Sequence, residues 1–384
     1  MVIYNPFRKY QQAVKVALRC SDKDWKSKWH NACDFMSLYA QKGLLAEEYL
    51  EYDFDQRPAS FRKSFLGLNE QRIYLDLLNP QKYYILARNK YFAHKMLENV
   101  GIRKAELYGY YQPEGVFCEN EHTAYDLPTM LRLLRRQDVH SCVIKATEGS
   151  HGDEVFVVEH IDFSESDAQL HLFNGMEKKL SEVLSDTPLL FESLVQQTEQ
   201  LASLNPSSVN TVRFMTLLYP TGEARLIATF IKIGRAGSCV DNAGTGGNVD
   251  ACVDTETGML KYAIRYDGEH QYHDIDVHPD TQTPINGMVI EHWAEIKKQV
   301  LRYQQAFPYI KAAGWDIAIT DEGPVVIEVN DFWDRLGQLF LRQGWRNEIR
   351  DCYLAWKNTG KHYYFGRKNN MLRSGHLEKI TRYE

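Results

Sequence analysis

Apolar and polar positions change rhythm along this 384-residue chain. Residues 1 to about 85 are rich in Lys, Gln, Ala, Leu and aromatics, with few turn signals before Arg57-Pro58. That texture predicts a helical N-terminal region. "NKYFAHKMLENVGI" predicts a short helix ending at Gly101, which is placed to act as its C′ residue. The rhythm then shortens. "SCVIKATEGSHGDEVFVVEH", "TPLLFESLV", "NTVRFMTLLYP" and "ARLIATFIKIGR" read as strands separated by Gly-bearing loops, and "AGSCVDNAGTGGNVDACVD" reads as a loop. Trp293, Ile296, Val300, Tyr303 and Phe307 fall at gaps of three and four, which predicts one buried helix face. A hairpin over 314–330 and a helical segment from about 334 to 357 follow. This order predicts an α+β fold with mixed or antiparallel sheets, not regular strand–helix alternation.

The hairpin "GWDIAITDEGPVVIEVN" interrupts its apolar pattern with Asp316, Glu328 and Asn330. A turn centred on Glu322 sets Asp316 opposite Glu328, with Asn330 on the same face. Ile317, Ile319, Val325, Ile327 and Val329 then form the other face. Opposed carboxylates repel unless a cation or proton lies between them. Oxygen-only ligands suit Mg²⁺. The plainer reading, an exposed polar hairpin face, stands at even weight.

Composition narrows the classes. The chain is 44% hydrophobic, enough for a sizeable core, and carries a formal charge of −6. A nucleic-acid binder is more often basic. The N-terminus shows no apolar signal region, and no apolar run approaches the ~20 residues of a membrane span. Seven scattered cysteines without a CxxC pair imply neither a disulfide framework nor a zinc cluster. A cytoplasmic location is the expectation. The tail from 361 to 384 holds six Lys/Arg against two Glu; it reads as solvated or as touching an anionic surface.

Three further constellations carry possible chemistry. Lys145 ends a strand before Gly149, Ser150 and Gly152, a loop that lets backbone N–H groups approach phosphate. It is not a GxxxxGK[ST] loop, and alone it reads as a turn. "PLLFESLVQQTEQL" runs from an apolar strand into Glu192, Leu194 and Glu199; on residue types alone it is a strand-to-helix junction with two solvated glutamates. Arg213, Lys232 and Arg235 interrupt apolar strands. Such cations take either an anionic ligand or a structural ion pair. The loop after Arg235, with Asn242, reads as a lid or a substrate-facing loop. His270, His273 and His278 match no metal spacing.

The order of these features, from Lys90 through Lys145 and the strand arginines to Asp–Glu–x–Asn, resembles the ATP-grasp superfamily. "LASLNPSSVNTVRFMTLL", "VDNAGTGGNVDACVD", "HPDTQT" and the 314–330 hairpin are similar to its sugar-transfer-associated family. The resemblance covers about residues 45 to 345. It implies two α+β subdomains clamping ATP, with a helical region over 1–85, an ATP-grasp domain over 86–345 and a C-terminal helix and basic tail over 346–384. The lid subdomain would span about 106–193 and the Mg²⁺-binding core 194–345. Lys90, Lys145, Gly149, Ser150, Gly152 and Lys232 would contact ATP phosphates, Glu192 and Leu194 the adenine, and Glu199 the ribose. Asp316, Glu328 and Asn330 would bind Mg²⁺. Arg213, Arg235 and Asn242 would form the catalytic set. One departure is the acidic pair Asp153-Glu154 beside the phosphate loop, which must point outward if that loop is correct. The implied activity is an ADP-forming ligase joining a small-molecule or glycan carboxylate to an amine, in polysaccharide or secondary-metabolite assembly. The alternatives are a kinase for a hydroxyl acceptor and a non-catalytic nucleotide-binding partner of a glycosyltransferase.

Overall fold

The computed structural model describes residues 8–19, 24–114, 122–149, 155–238, 247–267 and 272–360. The chain divides into two compact units, residues 1–82 with 334–384, and residues 83–333.

The first unit is helical. Its N-terminal part contains helices Arg8–Arg19, Trp25–Lys42, Ala46–Glu51, Ala59–Ser64 and Leu68–Leu78, and its C-terminal part adds Arg346–Asn358. Phe35, Tyr49, Phe54, Phe61 and Phe65 form an aromatic core. Buried polar groups close the helix ends. Glu48, almost fully buried, accepts from the backbone N–H groups of Leu45 and Leu68 and pairs with Arg335. Buried Gln338 accepts from the Leu66 N–H at 2.8 Å and donates to the Leu66 carbonyl at 3.1 Å.

Among the described residues, the second unit holds two seven-stranded sheets. The first contains β1 (Leu107–Tyr111), β2 (Thr123–Ala124), β3 (Cys142–Ala146), β4 (Val155–Phe163), β5 (Ala168–Leu172), β6 (Glu177–Lys179) and β7 (Leu189–Glu192), in the order β2-β1-β7-β3-β4-β5-β6. The second contains β8 (Thr211–Leu218), β9 (Ala224–Ile233), β10 (Val249–Val253), β11 (Leu260–Tyr266), β12 (Tyr272–Asp274), β13 (Ala312–Thr320) and β14 (Gly323–Asn330), in the order β12-β11-β10-β9-β8-β13-β14. The four segments read as strands are β3 with β4, β7, β8 and β9. All five apolar residues on the expected helix face join the core of the second sheet. Their helix is Trp293–Ala306, with Phe307 as its C-cap.

Two expectations change. Within the expected 236–254 loop, Val249–Val253 form β10, buried along its whole length. A central strand covered on both faces lacks the alternation that marks a half-exposed one, so its pattern went unread. The hairpin turn also differs. Thr320 pairs with Gly323, leaving a two-residue turn, and a bulge between Asp316 and Ile317 then restores the pairing of Asp316 with Glu328. The extra residue reverses the faces of β14 beyond it. Val326, not Val325 or Ile327, therefore joins Ile317, Ile319 and Val329 in the core.

The helix Lys90–Asn99 shows how local sequence sets geometry. The Asn89 side chain caps it by accepting from Tyr91 and Phe92. At the other end Gly101, at φ +70°, donates to Glu98 O while Ile102 donates to Leu97 O. This is a Schellman closure, and it needs a left-handed residue at Gly101. Ile102 and Leu97 then share the core.

Gln338→Ala should orphan two buried backbone groups of Leu66, at about 1–3 kcal/mol each. Urea denaturation should show a loss of a few kcal/mol, whereas a loss below about 0.5 kcal/mol would deny the contact a structural role.

Candidate functional site

A cleft of about 620 Å³ lies in the second unit. Val143, Lys145, Val157 and Glu192 of the first sheet line it, with Thr211, Lys232, Asp316, Val326 and Glu328 of the second. Lys90, His94 and Leu97 of the helix Lys90–Asn99 and the segment after β7 complete the wall.

Register explains the charged cluster. Asp316 on β13 faces Arg213 on β8 and Glu328 on β14, so three charged residues form one row across the sheet. Arg213 grips both carboxylate oxygens of Asp316, with Nη2 2.8 Å from Oδ2. Gly314 leaves room for this: a Cβ there would meet Arg213 Cδ at 3.3 Å. Lys232 Nζ lies 3.2 Å from the same Oδ2, and Asn330 Nδ2 lies 3.4 Å from it. Burial alone would raise the Asp316 pKa, but Arg213 and Lys232 overcome it and hold the group at about 2. Cationic side chains of β8 and β9 therefore already meet Asp316. Glu328 differs from Asp316. Its side chain is 35% exposed, and its cation neighbour is Lys90 at 3.9 Å.

Lys145 and Glu192 form a shielded ion pair at 2.6 Å, both on the cleft wall. Lys90 Nζ donates to the Gly149 carbonyl at 3.1 Å. Burial lowers the Lys90 pKa, Glu328 partly restores it and Lys145 lowers it further. Beyond β7, the main-chain groups of Leu194, Val195 and Gln196 have no hydrogen-bond partner among the described residues. They line the cleft beside Val143 and Val157. Free backbone donors and acceptors next to aliphatic side chains can hold a flat heteroaromatic ring by its edge.

Other expected site residues lie elsewhere. Arg213 and Asn330 sit behind the cleft wall, on Asp316. Arg235 makes a double contact with Asp280, both at 2.7 Å, and does not line the cleft. Both arginines are thus engaged in ion pairs, Arg213 with Asp316 and Arg235 with Asp280. Glu199 is exposed at the start of a short helix, outside the cleft. Gly149 and Leu194 line it. Ser150, Gly152, Asp153, Glu154, Asn242 and His270 lie outside the described residues, as does the basic tail.

Two of the motifs behind the resemblance meet in one hydrogen-bond network. Gln197 donates to Asn205 O and Ser208 O, while Asn210 donates to Gln197, Leu201 O and Asn205 O. From "HPDTQT", His278 pairs with Gly234 O, and Thr281 and Thr283 donate to Leu204 O and Ser203 O. These contacts tie the 197–210 segment to the 278–283 loop, and His278 is buried within them.

The sequence reading missed His94. It is 4% exposed, lines the cleft and contacts Ala105 O through Nε2, leaving Nδ1 without a partner. Its signal was the spacing Lys90–His94, one helical turn on one face.

A family model of sugar-transfer associated ATP-grasp proteins matches residues 69–352. The chain belongs to the sugar-transfer associated ATP-grasp family. Among solved structures, this family member is similar to N5-carboxyaminoimidazole ribonucleotide synthetase from Thermotoga maritima. That match has 14% identity, covers 72% of this chain and 52% of the other, and has a TM-score of 0.39. The chain thus spans about half the length of that protein. It is also similar to D-alanine–D-alanine ligase from Bacillus anthracis, at 14% identity, 76% and 77% coverage and a TM-score of 0.40. Phosphoribosylamine–glycine ligase from Thermotoga maritima matches at 11% identity, 77% and 61% coverage and a TM-score of 0.41. No curated protein matches the chain.

Burial pushes the His94 pKa down to about 4. Above about pH 6.5 folded and unfolded forms are both neutral. As pH falls from there to about 4, the unfolded chain takes a proton that folded His94 refuses, so stability drops. His94→Gln should flatten this slope by nearly one proton in denaturation series at pH 7, 6 and 5. An unchanged slope would show that His94 titrates normally.

Proposed function

We propose that this ATP-grasp protein is an ATP- and Mg²⁺-dependent ligase that activates a carboxylate and couples it to an amine. The observation that carries the reading is the convergence of Lys90, Lys145, Lys232 and Glu328 on one cleft with unpartnered backbone at 194–196. Three ammonium groups suit a polyphosphate, and the apolar slot with free backbone edges suits a purine.

The donor set fits a divalent ion held mainly by phosphate and water. Among the described residues no group of three or more His, Cys, Asp or Glu could hold a metal. Asp316 already meets Arg213 through both oxygens and Lys232 and Asn330 through Oδ2. Glu328 and Asp316 would hold the ion, Glu328 being the more exposed of the two, with Asn330 beside Asp316. When bound, Mg²⁺ supplies charge neutralisation at the phosphate oxygens.

In this reading Lys90 and Lys145 hold phosphate oxygens in line, and the buried Asp316 network keeps Lys232 oriented. The substrate carboxylate oxygen bonds to the γ-phosphorus as the bond to ADP breaks. The amine nitrogen then bonds to the acyl carbon, phosphate leaves and the amine loses a proton. The chain's contribution is positioning and electrostatics. Surface-polysaccharide or secondary-metabolite assembly is the setting the family name favours.

Carboxylates and amines are screened for ADP release, with mass analysis of the product. A ligase releases ADP and free phosphate only with both substrates. A phosphorylated hydroxyl product would replace this reading with a kinase, and ATP binding without turnover would replace it with a binding module. Glu328→Gln should remove most of the Mg²⁺-dependent gain in ATP affinity in calorimetry and leave stability near wild type. An unchanged Mg²⁺ dependence would sink the assignment of Glu328.

A further inference from the structure

The helices Arg8–Arg19 and Trp25–Lys42 are apolar on two faces. One face is ordinary core, where Ala13, Val16, Phe35 and Leu38 are buried. The other faces solvent. On the first helix Tyr10, Val14 and Leu18 recur every fourth residue at 51%, 56% and 69% exposure. On the second, Trp25 and Trp29 repeat that spacing at 77% and 64%. The fourfold spacing puts each set on one helix face. Five large apolar side chains on two neighbouring helices exceed the scattered exposure normal for a soluble surface.

Charge selects the occupant. Residues 8–33 carry seven Lys/Arg against two Asp, in a chain whose formal charge is −6. Arg19 and Lys26 are exposed beside the apolar rows. Facing a second copy would bring two basic rims together, which is repulsive. An anionic lipid surface meets both features: basic side chains attract its headgroups, and tryptophan favours the boundary between headgroup and acyl chain. Among the described residues no helix is long and apolar enough to cross a membrane. We propose that the Tyr10–Val14–Leu18 and Trp25–Trp29 rows dock the protein on the surface of an anionic bilayer. The attachment combines shallow apolar insertion with basic attraction, two weak signals that together give stable binding.

The test is flotation of the full-length protein with phosphatidylcholine vesicles, with and without phosphatidylglycerol, at low and high salt. Binding should require the anionic lipid and weaken with salt. Brominated lipid should quench part of the emission of the seven tryptophans. Trp25→Gln/Trp29→Gln should weaken vesicle binding at least about tenfold and abolish that quenching, with an unchanged denaturation curve. Lys26→Glu/Lys28→Glu should weaken binding to anionic vesicles while keeping both tryptophans. Absence of vesicle binding, or equal binding by the tryptophan variant, would overturn the proposal. So would a dimer that the tryptophan variant converts to monomer without any lipid binding, since the occupant would then be a second copy.

Discussion

The cleft depends on how one buried carboxylate is neutralised. Asp316 lies at the centre of a strand that is buried along nearly its whole length. An uncompensated charge there would cost several kcal/mol. Arg213 from one side and Lys232 from a strand further across supply the compensation. Their partnership fixes the register of β8, β13 and β9 at the level of the cleft. It also makes Asp316 a holder of cations before it can be anything else. Glu328, one strand further and 35% exposed with Lys90 at 3.9 Å, is the more accessible of the two carboxylates.

The rest of the cleft is built by satisfied backbone around an unsatisfied gap. The Gln197–Asn205–Asn210 network and the His278 loop hydrogen-bond the carbonyls of Leu201, Asn205 and Gly234. Among the described residues, the main-chain groups of Leu194 to Gln196 have no hydrogen-bond partner. In the reading proposed above, this run of main-chain groups is where the ligand's ring would be held.

Much of the fold was legible because periodicity reports burial directly. The helix face from Trp293 to Phe307, the four quoted strand segments and the Gly101 stop all stand where their patterns place them. β10 escaped because a strand buried on both faces does not alternate. The hairpin pairing of Asp316 with Glu328 was reached through the wrong turn: a two-residue turn and a one-residue bulge compensate, and only the apolar face of β14 betrays the difference. The candidate site was legible as residue types but not as partnerships. Sequence spacing cannot say that Arg213 spends its charge on Asp316, that Arg235 spends its on Asp280, or that Lys145 and Glu192 pair. Those facts depend on which strands become neighbours, and five of the seven strands in the second sheet lie between Thr211 and Asp274.

The account stands on the Arg213–Asp316 contact being a coupled, buried pair rather than two residues that happen to adjoin. A double-mutant cycle with Arg213→Met, Asp316→Asn and the double variant measures this directly in folding stability. Each single change should cost about 3 kcal/mol or more, because it strands a buried charge. The double change should cost at least about 2 kcal/mol less than their sum. Additive losses would contradict the account.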